Sequence, residues 1–241
     1  MKRALVLGAT GGIGQSISHQ LARDGWSLYL HYNQQQATAH TLRDELKKLY
    51  PTLSIDCVGA NFLEDDAADK LAKKIEDVQA IVVSNGQSMT KLLTETTTVD
   101  MDALWKVHVR HPARLISLLS NTLRQHDISY IVFIGSIWGN TGAAGEVMYS
   151  AVKGAQHAFV KAYAKEASYA GVRVNAIAPG WIETKMNDTF SEEDKQFVLQ
   201  EIPLLRTGYP EEIANLVSFL TSGKADYMTG DILKVNGGWY I

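Results

Sequence analysis

The chain alternates short apolar runs with longer segments of mixed character. The runs are Ala4–Leu7, Ser27–His31, Leu53–Val58, Ala80–Val83, Tyr130–Ile134 and Val172–Ile177, with Ile232–Val235 near the end. They are rich in Val and Ile, and Gly, Asn or Pro bounds them. This predicts strands buried on both faces. Between them, Gly14–Arg23, Ala37–Lys48, Asp65–Ile75, Asp100–Leu123, Tyr149–Ala167 and Glu211–Leu220 carry apolar residues at helical spacing. Strand and helix in alternation predict βαβ units, and hence an α/β fold with one parallel sheet of about seven strands between two helical layers. Such sheets bind ligands at the carboxyl ends of their strands. No linker, internal repeat or low-complexity stretch divides the chain, so residues 1–241 read as a single domain. The segment at about 181–205 departs from the rhythm. It is polar, holds Glu192, Glu193 and Asp194, and predicts a small helical lid over the site.

Composition narrows the function. A net charge of −3, from 23 basic and 26 acidic residues, gives no electrostatic reason for nucleic acid or anionic lipid as a partner. Cys57 is the only cysteine, so an internal disulfide is excluded and a reducing compartment is expected. The apolar stretch after Met1 is too short for a signal peptide or a membrane span, which reads as cytoplasmic. His108 and His111 stand three apart without a neighbouring acid or cysteine, so no metal site is expected. Nor is there a G-x-S-x-G elbow to make Ser136 a hydrolase nucleophile. Tryptophans are commonly core; Trp138 and Trp181 follow strand ends and are candidates for the pocket wall. Lys47, Lys48, Lys73 and Lys74 read as solvated helix faces.

The first predicted strand runs into Gly8, Ala9, Thr10, Gly11, Gly12, Ile13 and Gly14, and a helix follows. Glycines let backbone approach a pyrophosphate, and a helix N-terminus offers unpaired N–H groups and a favourable dipole. This predicts a dinucleotide site. After the second strand stand His31, Tyr32 and Asn33 with no acid. A carboxylate there would bind a ribose 2′-OH and repel a 2′-phosphate, so its absence favours NADP(H) over NAD(H). No Arg or Lys stands in that stretch, which leaves the 2′-phosphate to His31, Asn33, local backbone or Arg3.

Tyr149 and Lys153, at i and i+4, share one face of a predicted helix. A nearby ammonium is expected to lower the phenol pKa from about 10 and make Tyr149 a usable proton donor. Ser136, at the end of the fifth predicted strand, could hold a carbonyl oxygen while the phenol protonates it. That is the polar half of a ketone reduction, for which a nicotinamide would supply the hydride.

With these motifs the chain resembles the short-chain dehydrogenase/reductases over essentially its whole length. The match also includes Ser84, Asn85 and Gly86, the run from Arg173 and Asn175 through Pro179 and Gly180 to Thr184, Thr229 with Gly230, and Asn236, Gly237 and Gly238. The resemblance implies a Rossmann-type NAD(P)-binding fold with Tyr149 as general acid/base and Ser136 orienting the carbonyl. Lys153 would bind nicotinamide ribose hydroxyls and depress the tyrosine pKa. Pro179, Gly180, Ile182 and Thr184 would lie along the nicotinamide, and Asn85 and Gly86 against the adenosine half. A homotetramer pairing helices 100–124 and 149–167 is also implied. Within the family, the stretch from Gly135 through Trp138 and Tyr149 to Gln156 and His157 is similar to the elongation factor P 5-aminopentanone reductases. These are close relatives of the 3-oxoacyl-[acyl-carrier-protein] reductases.

Three departures stand out. His108 replaces the family's asparagine; Pro112 cannot donate to the His108 carbonyl, which predicts a kink that frees that carbonyl for a relay water. The competing expectation is that His108 only fills space. Asn61, followed by Phe62, replaces an acid and could meet the adenine edge through its amide. The N-N-A-G signature survives only as Val83, Ser84, Asn85 and Gly86. The substrate expectation is a carbonyl on modified elongation factor P, with a 3-oxoacyl-[acyl-carrier-protein] as the alternative. Few bases (Lys185, Lys195, Arg206) face six acids (Glu183, Asp188, Glu192, Glu193, Asp194, Glu201) around the lid, which disfavours an acidic carrier. A non-catalytic NADP-sensing protein is the alternative of another class.

Overall fold

The computed structural model describes residues 2–184 and 191–240. Seven parallel strands form one sheet in the order β3-β2-β1-β4-β5-β6-β7. They are β1 (Arg3–Leu7), β2 (Ser27–Tyr32), β3 (Ile55–Gly59), β4 (Ala80–Val83), β5 (Ser129–Ile134), β6 (Val172–Pro179) and β7 (Ile232–Val235). The helices are α1 (Gly12–Arg23), α2 (Gln36–Leu49), α3 (Ala67–Ala72), α4 (Thr98–Trp105), α5 (His111–Leu123), α6 (Trp138–Thr141), α7 (Val147–Ala167), α8 (Glu192–Glu201) and α9 (Pro210–Leu220).

Strand alternation sorts the buried side chains into two layers. Val6, Leu28, Leu30, Val82 and Val132 pack with Ile17 and Leu21 of α1, Leu42 and Leu46 of α2, and Ile213 and Val217 of α9. Leu5, Leu7, Ile81, Val83 and Phe133 pack with Leu71 of α3, Leu115 and Leu119 of α5, and Val160 and Ala164 of α7. Each Val, Leu, Ile or Phe side chain so removed from water contributes roughly 1.5–3 kcal/mol. This is the doubly wound Rossmann-type arrangement of the expectation. Strand order reverses between β1 and β4, so the loops after them diverge and open a crevice at their carboxyl ends.

The departures are local. β7 is a sheet edge and only half-buried, not covered on both faces. The helix expected over 100–123 is broken: α4 passes into a π-turn at Lys106–Arg110, where the His111 N–H bonds the Lys106 carbonyl, and α5 begins with Pro112 in its first turn. In the segment expected as a lid, α8 is capped by Ser191, which accepts from the Asp194 N–H. A parallel bridge joins Ile182 to Gly208. Residues 185–190, including Lys185 and Asp188, lie outside the described residues. Among the described residues no helix is long and apolar enough to cross a membrane.

Candidate active site

The turn after β1 is built for close backbone approach. Gly8 has φ +73°, and a Cβ there would lie 2.6 Å from the Asn85 Cα. A Cβ on Gly14 would lie 2.1 Å from the Gly8 carbonyl oxygen. Side chains are therefore excluded where β1, α1 and the loop after β4 converge. Gly11 caps α1 without a side-chain hydrogen bond. The first N–H groups of α1, at Gly12, Ile13 and Gly14, have no partner within the helix and can face a phosphate. The Thr10 carbonyl is held by Gln15 Nε2 at 2.8 Å. Thr184 closes over this cradle, its Cγ2 3.1 Å from where a Gly12 Cβ would stand. These features fit a dinucleotide.

At the adenosine end the side chains are engaged differently from expectation. His31 is buried, its Nδ1 accepting from the Gly8 N–H at 3.1 Å and its Nε2 donating to the Ala60 carbonyl at 3.0 Å. Burial pushes its pKa down to about 4, so it is a neutral brace with no positive charge for a phosphate. Arg3 lies at the amino end of β1, ion-paired with Asp56 and stacked on Tyr29, the wrong end of the sheet for a 2′-phosphate. The Phe62 ring is sandwiched between His31 and His111 at 4.9 and 5.3 Å, which leaves only its backbone for a nucleotide. Asn61 turns its side-chain oxygen back to the Leu63 N–H at 3.1 Å, leaving its NH₂ group to donate. Lys74 is not merely a solvated face: its Nζ donates to the Gly59 carbonyl at 2.9 Å. It lines a cleft of about 260 Å³ with Asn33, Asn61, Glu64 and Lys70. Lys70 is neutralised there by Glu64 and Asp66. The Tyr32 hydroxyl packs across Gly59.

Ser136, Tyr149, Lys153 and His108 meet at the carboxyl end of β5. Ser136 follows the strand; its Oγ accepts from the Trp138 N–H at 3.2 Å and is near enough to the Tyr149 hydroxyl to act on its pKa. Lys153, one turn after Tyr149 on α7, is buried and donates to the Ile134 carbonyl at 2.9 Å. Its Nζ is 5.6 Å from the Tyr149 ring centre. Burial pushes the lysine pKa down to about 7. Burial, with a smaller push from the Glu146 charge, drives the tyrosine well above an ordinary phenol, while the Ser136 hydroxyl pulls it down. The expected lowering by the ammonium is thus corrected: desolvation sets the direction and moves the phenol the other way. Tyr149 holds its proton, as a donor to a carbonyl must.

His108 is fully buried, edge-on to the Tyr149 ring at 5.6 Å, and its Nε2 lies 3.0 Å from the Gln87 carbonyl. Burial lowers its pKa to about 3. Its main-chain carbonyl, which Pro112 cannot serve, accepts instead from Gln156 Nε2 at 2.7 Å. The freed carbonyl is held by an amide from α7, where a water was expected. Asn85, also buried, donates to the Val107 carbonyl at 2.8 Å. A Cβ on Gly86 would come within 2.8 Å of the His108 ring, so that position admits only glycine.

Beyond Ser136 the pocket mouth is aromatic. Trp138 packs at 5.3 Å on both Trp239 and Tyr240, and Trp181 lies 6.5 Å from Trp239. Trp26 is core, whereas Trp105 is half exposed and Trp239 belongs to the mouth. Pro179 accepts from the Ile137 N–H at 3.1 Å, and Gly180 abuts Asn236 so tightly that a Cβ would lie 2.9 Å from its Cα. The Ile182 side chain is buried against Gly208. Sequence reasoning gave no chemical role to Gln156, Lys74, Glu146, Trp239 or Tyr240. Only the residues they touch across the fold mark them out.

A glycine cradle opening a doubly wound sheet, with a Ser–Tyr–Lys set beside it, defines a nicotinamide-dependent oxidoreductase site. Residues 8–240 match the family described as Enoyl-(Acyl carrier protein) reductase, and the chain belongs to that family of short-chain dehydrogenase/reductases. It is 42% identical over 240 residues, covering 99% of both chains, to "Uncharacterized oxidoreductase YmfI" of Bacillus subtilis (strain 168). It is 35% identical over 246 residues to the 3-oxoacyl-[acyl-carrier-protein] reductase FabG of Aquifex aeolicus (strain VF5), covering 99% of this chain and 97% of the other. In structure it is similar, with a TM-score of 0.93 and 26% identity over 100% of this chain and 98% of the other, to a blue fluorescent protein from a metagenomic library in complex with NADPH.

Proposed function

We propose that this chain reduces a ketone to an alcohol with NADPH. The carrying observation is the convergence of Ser136, Tyr149 and Lys153 beside the glycine cradle. The NADPH preference rests on the absence of an acid after β2 and on the Lys74 ammonium beside Asn33. When bound, NADPH supplies the hydride. Ser136 holds the carbonyl oxygen, the Tyr149 hydroxyl passes its proton to that oxygen, and Lys153 stabilises the phenolate left behind. The positioned acid is worth typically ~10²–10⁴-fold. His108 packs against Tyr149 and fixes its ring.

The substrate read here is the 5-aminopentanone group on modified elongation factor P. The segment after β6 carries more acid than base: Glu201 accepts from the Trp239 indole N–H at 3.1 Å, and Arg206 is bonded to Glu212 at 2.7 and 2.9 Å. An acidic carrier would be repelled. The second reading, a 3-oxoacyl-[acyl-carrier-protein] substrate, is favoured by the FabG relatives. The protein acts as a cytoplasmic homotetramer in this reading, with half-exposed Trp105, Leu118 and Val147 at the paired helices. A side-by-side NADPH oxidation assay with acetoacetyl thioester and with ketone-modified elongation factor P tests it. Turnover of the modified factor alone supports the first reading, and thioester turnover alone the second. Turnover of no activated ketone would leave the NADP-sensing role.

A further inference from the structure

We propose that Glu146 anchors an ammonium group on the substrate, so that this site selects an amino ketone over a neutral one. The inference rests on the reductase reading of the same site.

Glu146 is the residue before α7 and stands one turn ahead of Tyr149. Its surroundings are fixed. The Gly145 carbonyl accepts from the Lys91 N–H at 2.8 Å, and the Ala143 N–H donates to Ser150 Oγ at 3.1 Å. The Glu146 side chain is half-buried between the loop after β4 and the start of α7. Its one hydrogen bond there is a long one from Thr90 Oγ1, at 3.3 Å. Among the described residues no cation pairs with it. The nearby Lys91 is bound to Asp100 at 2.8 Å, and Lys153 is turned to Ile134.

Half-buried and without a cation, this carboxylate loses part of its hydration, and it is placed where it also opposes the chemistry. Its charge disfavours the phenolate that Tyr149 must become, and burial raises its own pKa. A glutamine of the same shape would keep the Thr90 contact without either penalty. A substrate ammonium reverses both effects, pairing with the carboxylate and cancelling its field at the phenol. Substrate charge would thus supply both binding and activation. Beyond Ser136, Trp138 packs with Trp239 and Tyr240, and a second carboxylate, Glu201, accepts from the Trp239 indole N–H at 3.1 Å.

The test compares a methyl ketone carrying a dimethylamino group three methylenes from the carbonyl with its neutral isostere, which has isopropyl in that place. The tertiary amine is protonated at neutral pH and cannot close to a cyclic imine. NADPH oxidation gives kcat/KM for each ketone, and ketone-induced change in NADPH fluorescence gives binding without turnover. Wild type is expected to favour the amine about tenfold or more, and Glu146→Gln to bring the ratio close to one. Thermal unfolding and NADPH affinity establish that the variant is folded. Equal kcat/KM for the two ketones in wild type, or a preference that survives Glu146→Gln, overturns the proposal. Turnover of neither ketone, with the amine preference intact in binding and lost in Glu146→Gln, removes the reductase reading and supports the ammonium site.

Discussion

The bond between Gln156 and the His108 carbonyl can be tested by a double-mutant cycle. In a regular α-helix that carbonyl would take the N–H of residue 112, which Pro112 lacks. Gln156 Nε2 supplies the missing donor from α7 at 2.7 Å, and the carbonyl and the amide are both buried. Gln156→Met keeps the length and removes the donor. Leaving a buried acceptor unpaired costs about 1–3 kcal/mol. The Gln156 side-chain oxygen has no protein partner, so its removal offsets part of that cost. The net loss is about 1–2 kcal/mol, or about 3–6 °C in Tm for a chain of this size. Pro112→Ala restores a backbone donor. In that background the expected cost of Gln156→Met falls below about 0.5 kcal/mol, a coupling of roughly 1 kcal/mol. Urea unfolding of the four proteins at one protein concentration measures it. The same four proteins are assayed for kcat. Closing the π-turn would rotate His108 against Tyr149, so Pro112→Ala is expected to lower turnover. An undiminished cost of Gln156→Met in the Pro112→Ala background would refute the shared-acceptor account, and unchanged kcat in Pro112→Ala would refute its link to catalysis.

Other consequences are open to simpler measurement. Tyr149→Phe should abolish carbonyl reduction while leaving NADPH affinity, read by fluorescence titration, nearly intact; surviving turnover would remove the proposed acid. Lys74→Ala should weaken NADPH binding about fivefold, the scale of one exposed ion pair, and leave NADH binding alone. Equal loss for both cofactors would place Lys74 away from the 2′-phosphate. His31, His108 and His157 have folded pKa values lowered to about 4, 3 and 4 by burial. Unfolded, each takes up a proton near pH ~6.5, so the unfolded state binds more protons and stability falls as pH drops from about 6.5 toward 4. Each costs about 1 kcal/mol between pH ~6.5 and ~5.5. A urea midpoint that does not fall over that interval would contradict their burial as neutral rings.

The layers of this protein are legible in its sequence because they follow local rules. Continuous Val/Ile runs, helical spacing and a glycine turn between strand and helix specify a doubly wound sheet with a nucleotide cradle whatever surrounds them. Tyr149 and Lys153 are legible as a pair for the same reason, since four residues on a helix fix their shared face. What the sequence leaves undetermined depends on contacts across the chain. Gln156 reaches His108 over 48 residues, and Trp138 meets Trp239 only because α6 and the C-terminal segment converge at one mouth. His31 stands where a phosphate ligand would be sought, but its two ring nitrogens are taken by backbone brought from either side. The tyrosine pKa shows the division most directly. Spacing puts an ammonium beside the phenol, but the direction of the shift is decided by desolvation, and burial exists only once the sheet and its helices have closed around the site.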